Sequence, residues 1–267
     1  MIATSTQPRR LEISVLRRFG QRCGVTSWPV VLDLWPDCDD AVSAHRDAMA
    51  LDRVIEDADL MEAGGPTLWA DTVLGVLAHP ERQLEIRSFT PEGVVRICLA
   101  RRGHDHVLAV RDAAGVELRV VEVWDVAALA GIVRRLCGPP DAMEFAEVNV
   151  LTSELNEAMA VSDDASSISA ALHFWGGRPS DVTRIADALI TCHTRWEIVA
   201  TAHVDGAVTQ AGGALGIVDS RHGRILFGPS KSPDGRWWTT ITPGSGHRIG
   251  QAVKRLTETL PHGGWFP

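Results

Sequence analysis

Residues 125–136, DVAALAGIVRRL, return in altered form 120 positions further on as SGHRIGQAVKRL at 245–256. Leu129, Ile132, Val133 and Leu136 align with Ile249, Ala252, Val253 and Leu256. Each set has the i, i+3, i+4, i+7 spacing of the buried stripe of an amphipathic helix. Arg134 and Arg135 align with Lys254 and Arg255, and Asp125 and Ser245 both stand where a helix needs an N-cap oxygen. The match extends backward. VLAV, a DAAG turn and VELRVVEV lead into the first helix, while ILFG, an SPDG turn and RWWTTIT lead into the second, so each copy predicts a hairpin. Earlier still, RQLEIR at 82–87 resembles TRWEIV at 194–199, an offset of 112. Each follows a helix-like stretch, WADTVLGVLAH or DVTRIADALITCH, and each is followed by a turn, TPEG at 90–93 or VDG at 204–206, and a further strand.

Such an internal duplication restricts the fold to two units with one element order. The expected pattern is helix, four strands, helix, over roughly 66–140 and 181–262, with an N-terminal helical and strand segment before it and a helical insert between the copies. Strands joined by tight turns pair antiparallel, so the fold class is α+β with two quasi-symmetric halves. We place an N-terminal α+β half at 1–140 and a C-terminal α+β half, carrying a helical bundle, at 141–267, as one compact unit.

The bulk properties exclude several classes. With 267 residues, 45% of them hydrophobic, the chain can bury a large core. The net charge of −8 and the lack of a dense Lys/Arg run leave no source for nucleic-acid affinity. Cys23, Cys38, Cys98, Cys137 and Cys192 form no CxxC pair, which points to a reducing cytoplasm rather than a disulfide scaffold or zinc ribbon. No apolar run approaches a membrane span, and the N-terminus lacks the apolar core of an export signal, so neither insertion nor export is expected.

Few residues suggest chemistry. The turn from Gly244 to Gly250 (GSGHRIG), between an apolar strand and an amphipathic helix, is placed where a phosphate could sit. A dinucleotide site, however, needs a parallel βαβ unit, and no strand follows this helix; capping and a tight strand exit explain the turn better. GPSKS at 228–232 lacks phosphate-loop spacing and reads as a polar hairpin loop. His104 and His106 have no further metal ligands at recognisable spacing, and Cys192–His193 diverge at a helix end. No GxSxG, Walker or SxxK motif occurs, which argues against an enzyme; no metal and no cofactor are expected. The acidic runs DCDD at 37–40 and EDAD at 56–59 read as solvated caps. Of nine Trp residues most belong to the core, but Trp237 and Trp238 must point to opposite faces of their strand, leaving one for partner contact. His173, Phe174 and Trp175 in the insert present the same choice between core and partner contact, and are assigned to the core.

GRILFGPSKSPDGRWWTTITPGSG, the following AVKRLTETLP and the terminal GGWFP resemble the C-terminal signature of the EspG family, ESX secretion-associated proteins of mycobacteria and relatives. In the first half, VLGVLAHPERQLEIR resembles the family's LxxLAxPxxxLxIR pattern and ARRGHDHVLAVRD its ARRG…VLA.R strand pair. The likeness covers nearly the whole chain and is closest to the paralogue of the iron-acquisition ESX system. It implies two α+β halves sharing a central antiparallel sheet. It also implies a cytosolic chaperone, not an enzyme, that binds a PE-PPE heterodimer at the PPE tip, keeps it soluble and delivers it to a type VII secretion system. The matching contact loop is SFTPEG at 88–93, giving Phe89, Thr90, Pro91 and Glu92 as partner-binding candidates, with Trp237 from the sheet. On the strand at 194–199, one alternating set, Trp196, Ile198 and Ala200, or the other, Glu197, Val199 and Thr201, faces outward, the first being preferred. Homodimerisation of the isolated chain through its sheet edges stays open, and the alternative function is a small-molecule enzyme holding an anionic ligand at the Gly244 to Gly250 turn.

Overall fold

The computed structural model describes residues 7–35, 41–62, 65–138, 141–161, 164–261 and 263–266; the DCDD run at 37–40 lies outside them. The chain divides into two units. The first comprises Met1–Arg87, Val94–Glu122 and His203–Ala207; the second comprises Ser88–Gly93, Val123–Ala202 and Val208–Pro267.

In the first unit a short strand β1 (Arg9–Leu11) is followed by α1 (Ile13–Arg22), a 3-10 turn at Val30–Leu32 and α2 (Ala41–Asp57). A two-stranded ribbon, β2 (Met61–Glu62) and β3 (Gly65–Pro66), leads to α3 (Leu68–Ala78). Thr67 caps α3 by accepting from the Ala70 amide, and Pro80 follows soon after the helix ends. Then come β4 (Arg82–Thr90), β5 (Gly93–Arg102), β6 (Asp105–Asp112) and β7 (Gly115–Val120), in the order β1-β7-β6-β5-β4. The register sets Cys98 opposite Ala109 and Ala109 opposite Leu118, so small and branched side chains line one face. Leu16 and Phe19 of α1 and Trp69, Val73 and Leu77 of α3 belong to the same core.

The second unit begins with α4 (Val126–Cys137), followed by β8 (Val148–Leu151), α5 (Thr152–Val161), α6 (Ala165–Phe174) and α7 (Pro179–Ile190). Next are β9 (Thr194–Val204), β10 (Ala207–Gln210), β11 (Leu215–Ser220), β12 (Gly223–Lys231), β13 (Trp237–Pro243) and α8 (Gly246–Glu258). The strands run in the order β9-β11-β12-β13-β8, antiparallel from β9 to β8, with β10 also on β9. One face carries Val148, Val150, Val218, Ile225 and Ile241 and packs with Leu155, Leu172 and Ile185 from α5, α6 and α7. The helices α4 and α8, whose likeness revealed the duplication, pack on each other within this unit; a Cβ on Gly250 would stand 3.7 Å from Ala130 Cβ. Their caps are as expected: Asp125 Oδ1 accepts from the Ala128 amide at 2.7 Å, and Ser245 Oγ from the Arg248 amide at 3.3 Å.

The helices, hairpins and turns of both copies fall at the expected residues, and the protein is α+β. Two details differ. The stretch SFTPEG is not an open loop, because β4 continues to Thr90 and only Pro91 and Glu92 form the turn before β5. GPSKS is strand rather than loop through Lys231, with the turn displaced to 232–236. The other difference bears on the site: the strand that is continuous as β5 in the first copy is broken in the second into β10 and β11.

Candidate partner-binding site

The break is caused by Ala211–Gly212–Gly213–Ala214. Gly213 has φ +132, which only glycine adopts readily, and a Cβ there would stand 2.6 Å from Pro229 Cβ. A Cβ on Gly212 would lie 2.1 Å from Cζ2 of Trp237. The indole of Trp237 therefore rests on a backbone stripped of side chains. Beside it opens a cleft of about 550 Å³. Its floor comes from the sheet, with Gly216, Val218, Phe227, Pro229 and Thr239, and its wall from Leu155, Asn156 and Met159 of α5 and Leu189 at the end of α7. Met159 is 40% exposed, so a flexible thioether fronts the opening. A second cleft, of about 430 Å³, lies along α8 and is polar, crossed by the Arg248–Glu147 ion pair at 3.3 Å. The first cleft is the more apolar of the two, and removing such side chains from water drives association.

Its rim is held by aromatic and cationic groups. The Arg195 guanidinium lies 4.8 Å from the centroid of Phe89, which comes from the β4 end of the turn, and reaches Glu197 at 3.8 Å. Lys231, directly across the β12–β13 ladder from Trp237, places its ammonium 5.6 Å from that ring. At the hairpin tip Pro91 and Glu92 are exposed and Thr90 is half-buried. Hydrogen bonds from the Thr90 hydroxyl and from its own backbone amide hold the Glu92 carboxyl below the usual carboxylate range, so it stays ionised.

Of the residues singled out from the sequence, Trp237 lines the cleft directly and Phe89 is linked to it through Arg195. Of the β9 set, Trp196 reaches the cleft lining, while Ile198 and Ala200 do not. Ile198 and Ala200 are fully buried and Trp196 is 9% exposed, because this face of β9 is the apolar one; Ile198 pairs with Leu215 and Trp196 with Ile217. The opposite face carries Arg195 and Glu197 to the cleft, while Val199 is half-buried and Thr201 buried. Sequence reasoning missed Arg195, Met159, Phe227 and the Gly212–Gly213 pair. A glycine pair inside a strand pattern was the available signal, since it marks a break or a close approach.

The other suspected chemistry resolves into structure. Gly244 leaves room for Arg224, whose Cγ would stand 2.2 Å from an added Cβ. Arg224 forms a bidentate pair with buried Asp219 at 2.6 and 2.7 Å and donates to the carbonyls of Cys137 and Gly138 at the end of α4. His106 Nδ1 sits 3.1 Å from the His104 carbonyl. Cys192 packs at the edge of the second unit's core while the His193 ring meets Thr194 Oγ1 at 3.1 Å. Phe174, assigned to the core from sequence, is instead 83% exposed. Among the described residues no helix is long and apolar enough to cross a membrane.

An antiparallel α+β protein with an apolar, cation-rimmed cleft and this duplicated order belongs to the EspG family, whose model matches residues 14–255. Among individual relatives, the chain is 28% identical to the ESX-3 secretion-associated protein EspG3 of Mycolicibacterium smegmatis, covering 91% of this chain and 84% of that protein. It is 30% identical to the ESX-1 secretion-associated protein EspG1 of Mycobacterium tuberculosis over 76% of this chain and 69% of that one. Identities so near each other do not single out one ESX system. The solved Mycobacterium tuberculosis type VII secretion system chaperone EspG5, in complex with a PE25-PPE41 dimer, shares the fold with a TM-score of 0.82, covering 97% of this chain and 99% of that one at 20% identity.

Proposed function

We propose that this protein is a cytoplasmic chaperone, without catalytic activity, that binds a PE-PPE heterodimer through the PPE tip, keeps it soluble and targets it to a type VII secretion system. Membership of the EspG family carries the reading. It is supported by the fold shared with EspG5, whose structure is a complex with PE25-PPE41. The docking surface in this reading is the cleft beside Trp237, together with Phe89, which the cleft's Arg195 covers, and the exposed Pro91–Glu92 turn that follows Phe89 in the chain. Such a cleft suits the task, because a helical protein with an exposed apolar tip aggregates unless the tip is covered.

Co-expression with PE-PPE pairs encoded in the same genome, followed by affinity capture and size-exclusion chromatography with light scattering, tests the proposal. The expected outcome is a soluble complex with one of each chain, formed with a cognate pair and not with pairs of other ESX systems. Phe89→Asp should weaken that complex and leave the melting temperature nearly unchanged, since Phe89 is half-buried at the hairpin end. Failure of every pair to co-purify would sink the reading.

A further inference from the structure

The cleft has a charge character that the chaperone reading does not require. The chain as a whole carries −8, so its long-range field disfavours an acidic partner. Within the cleft itself no such excess holds: among the described residues of its lining Glu197 is the one acid, balanced by Arg195, and Lys231 on the neighbouring strand adds a further cation over Trp237. Lys231 has no carboxylate partner among the described residues, and Arg195 reaches its own only at 3.8 Å, with its side chain 54% exposed. Both cations lie over rings, Arg195 over Phe89 and Lys231 over Trp237. An acid partner would neutralise them; an aromatic face orients them and leaves the charge to be used. Trp237 is itself seated on Gly212, so its position does not depend on the partner. The ordering cost of two long side chains is therefore partly met before binding.

From this we infer that Arg195 and Lys231 are specificity-determining residues, selecting a PPE tip whose apolar plug is flanked by carboxylates. The plug fills the space between Met159, Leu155 and Phe227. The carboxylates meet the guanidinium of Arg195 and the ammonium of Lys231 at the rim, where like charge on a wrong partner is rejected. The inference rests on the docking reading above, and its test separates the two.

The co-purified PE-PPE dimer is titrated calorimetrically into the wild-type protein and into Arg195→Met, Lys231→Met and the double variant, at low and high salt, with folding checked by melting temperature. Each single variant should weaken binding about threefold to tenfold at low salt, and the double variant more. The wild-type affinity should fall with added salt, and that dependence should shrink in the double variant. This wild-type salt dependence tests the inference even if a variant folds poorly. Trp237→Ala serves as the control on the docking surface. If the charge variants bind like the wild type and salt has no effect, while Trp237→Ala loses binding, the inference is overturned and the docking reading stands. If Trp237→Ala also binds like the wild type, the cleft is not the docking surface and both fall.

Discussion

Arg224 shows how much one side chain organises. It is 3% exposed and lies opposite Asp219 in the β11–β12 ladder, with its guanidinium shared between that carboxylate and the last carbonyls of α4. Burial alone would lower its pKa, but the bond and charge of Asp219 outweigh this and raise it. The guanidinium thus stays charged in the core. Arg224→Met should leave a buried, unpaired Asp219 and cost about 3–5 kcal/mol, read as a lower urea midpoint. Gly244→Ala acts on the same contact through space, since its Cβ would meet the Arg224 stem, and should cost about 1–3 kcal/mol in the same measurement. Neither substitution touches the cleft, so partner affinity should hold wherever the variants are folded. In the sequence, Gly244 resembled part of a phosphate loop because its actual neighbour comes from an earlier strand. The Ser245 cap, by contrast, was legible, as it acts on an amide three residues ahead.

At the scale of elements, periodicity located nearly all helices and strands, because amphipathic spacing is a local record of which side faces the core. It did not show the division between β10 and β11. That break depends on Trp237 and Pro229 packing against Gly212 and Gly213 from strands later in the chain. Gly212→Ala should therefore push the indole off its seat. We expect a red shift in tryptophan emission and at least about a tenfold loss of partner affinity, with a destabilisation of roughly 1–3 kcal/mol or less, because the half-buried ring can swing outward. Unchanged affinity with a shifted ring would show that the seat of Trp237 is not used in docking. The same dependence explains β9. Alternation defined two sets of residues, but only packing decided that Trp196, Ile198 and Ala200 go inward.

For the molecule as a whole, the response to acid follows from one buried and one half-buried histidine. His106 is 2% exposed opposite Arg101; burial first, and then Arg101, push its pKa down against the His104 carbonyl and Asp105. His203, whose amide donates to the Glu81 carbonyl, is likewise lowered by burial and by Arg82. Both folded values lie below the ordinary value of 6.5. Above that pH both rings are neutral in either state and carry no penalty. As the pH falls, the unfolded chain takes up protons first, so stability is lost from about pH 6.5 downward through the depressed folded values. The melting temperature should decline between about pH 6.5 and about pH 5, and His203→Gln should flatten that decline. A melting temperature constant over this range would contradict it.

The sequence by itself determined the duplication, the α+β class, the caps of α4 and α8 and the family, because these are written in spacing and short-range chemistry. It also singled out Trp237, which lines the cleft, and Phe89, over which the cleft's Arg195 lies. Only the tertiary structure decided which face of β9 is buried, why Gly244 is a glycine and where Arg195 and Lys231 point. Each of those depends on a neighbour from another part of the chain, and a linear pattern records a residue's own periodicity rather than the side chain that will meet it.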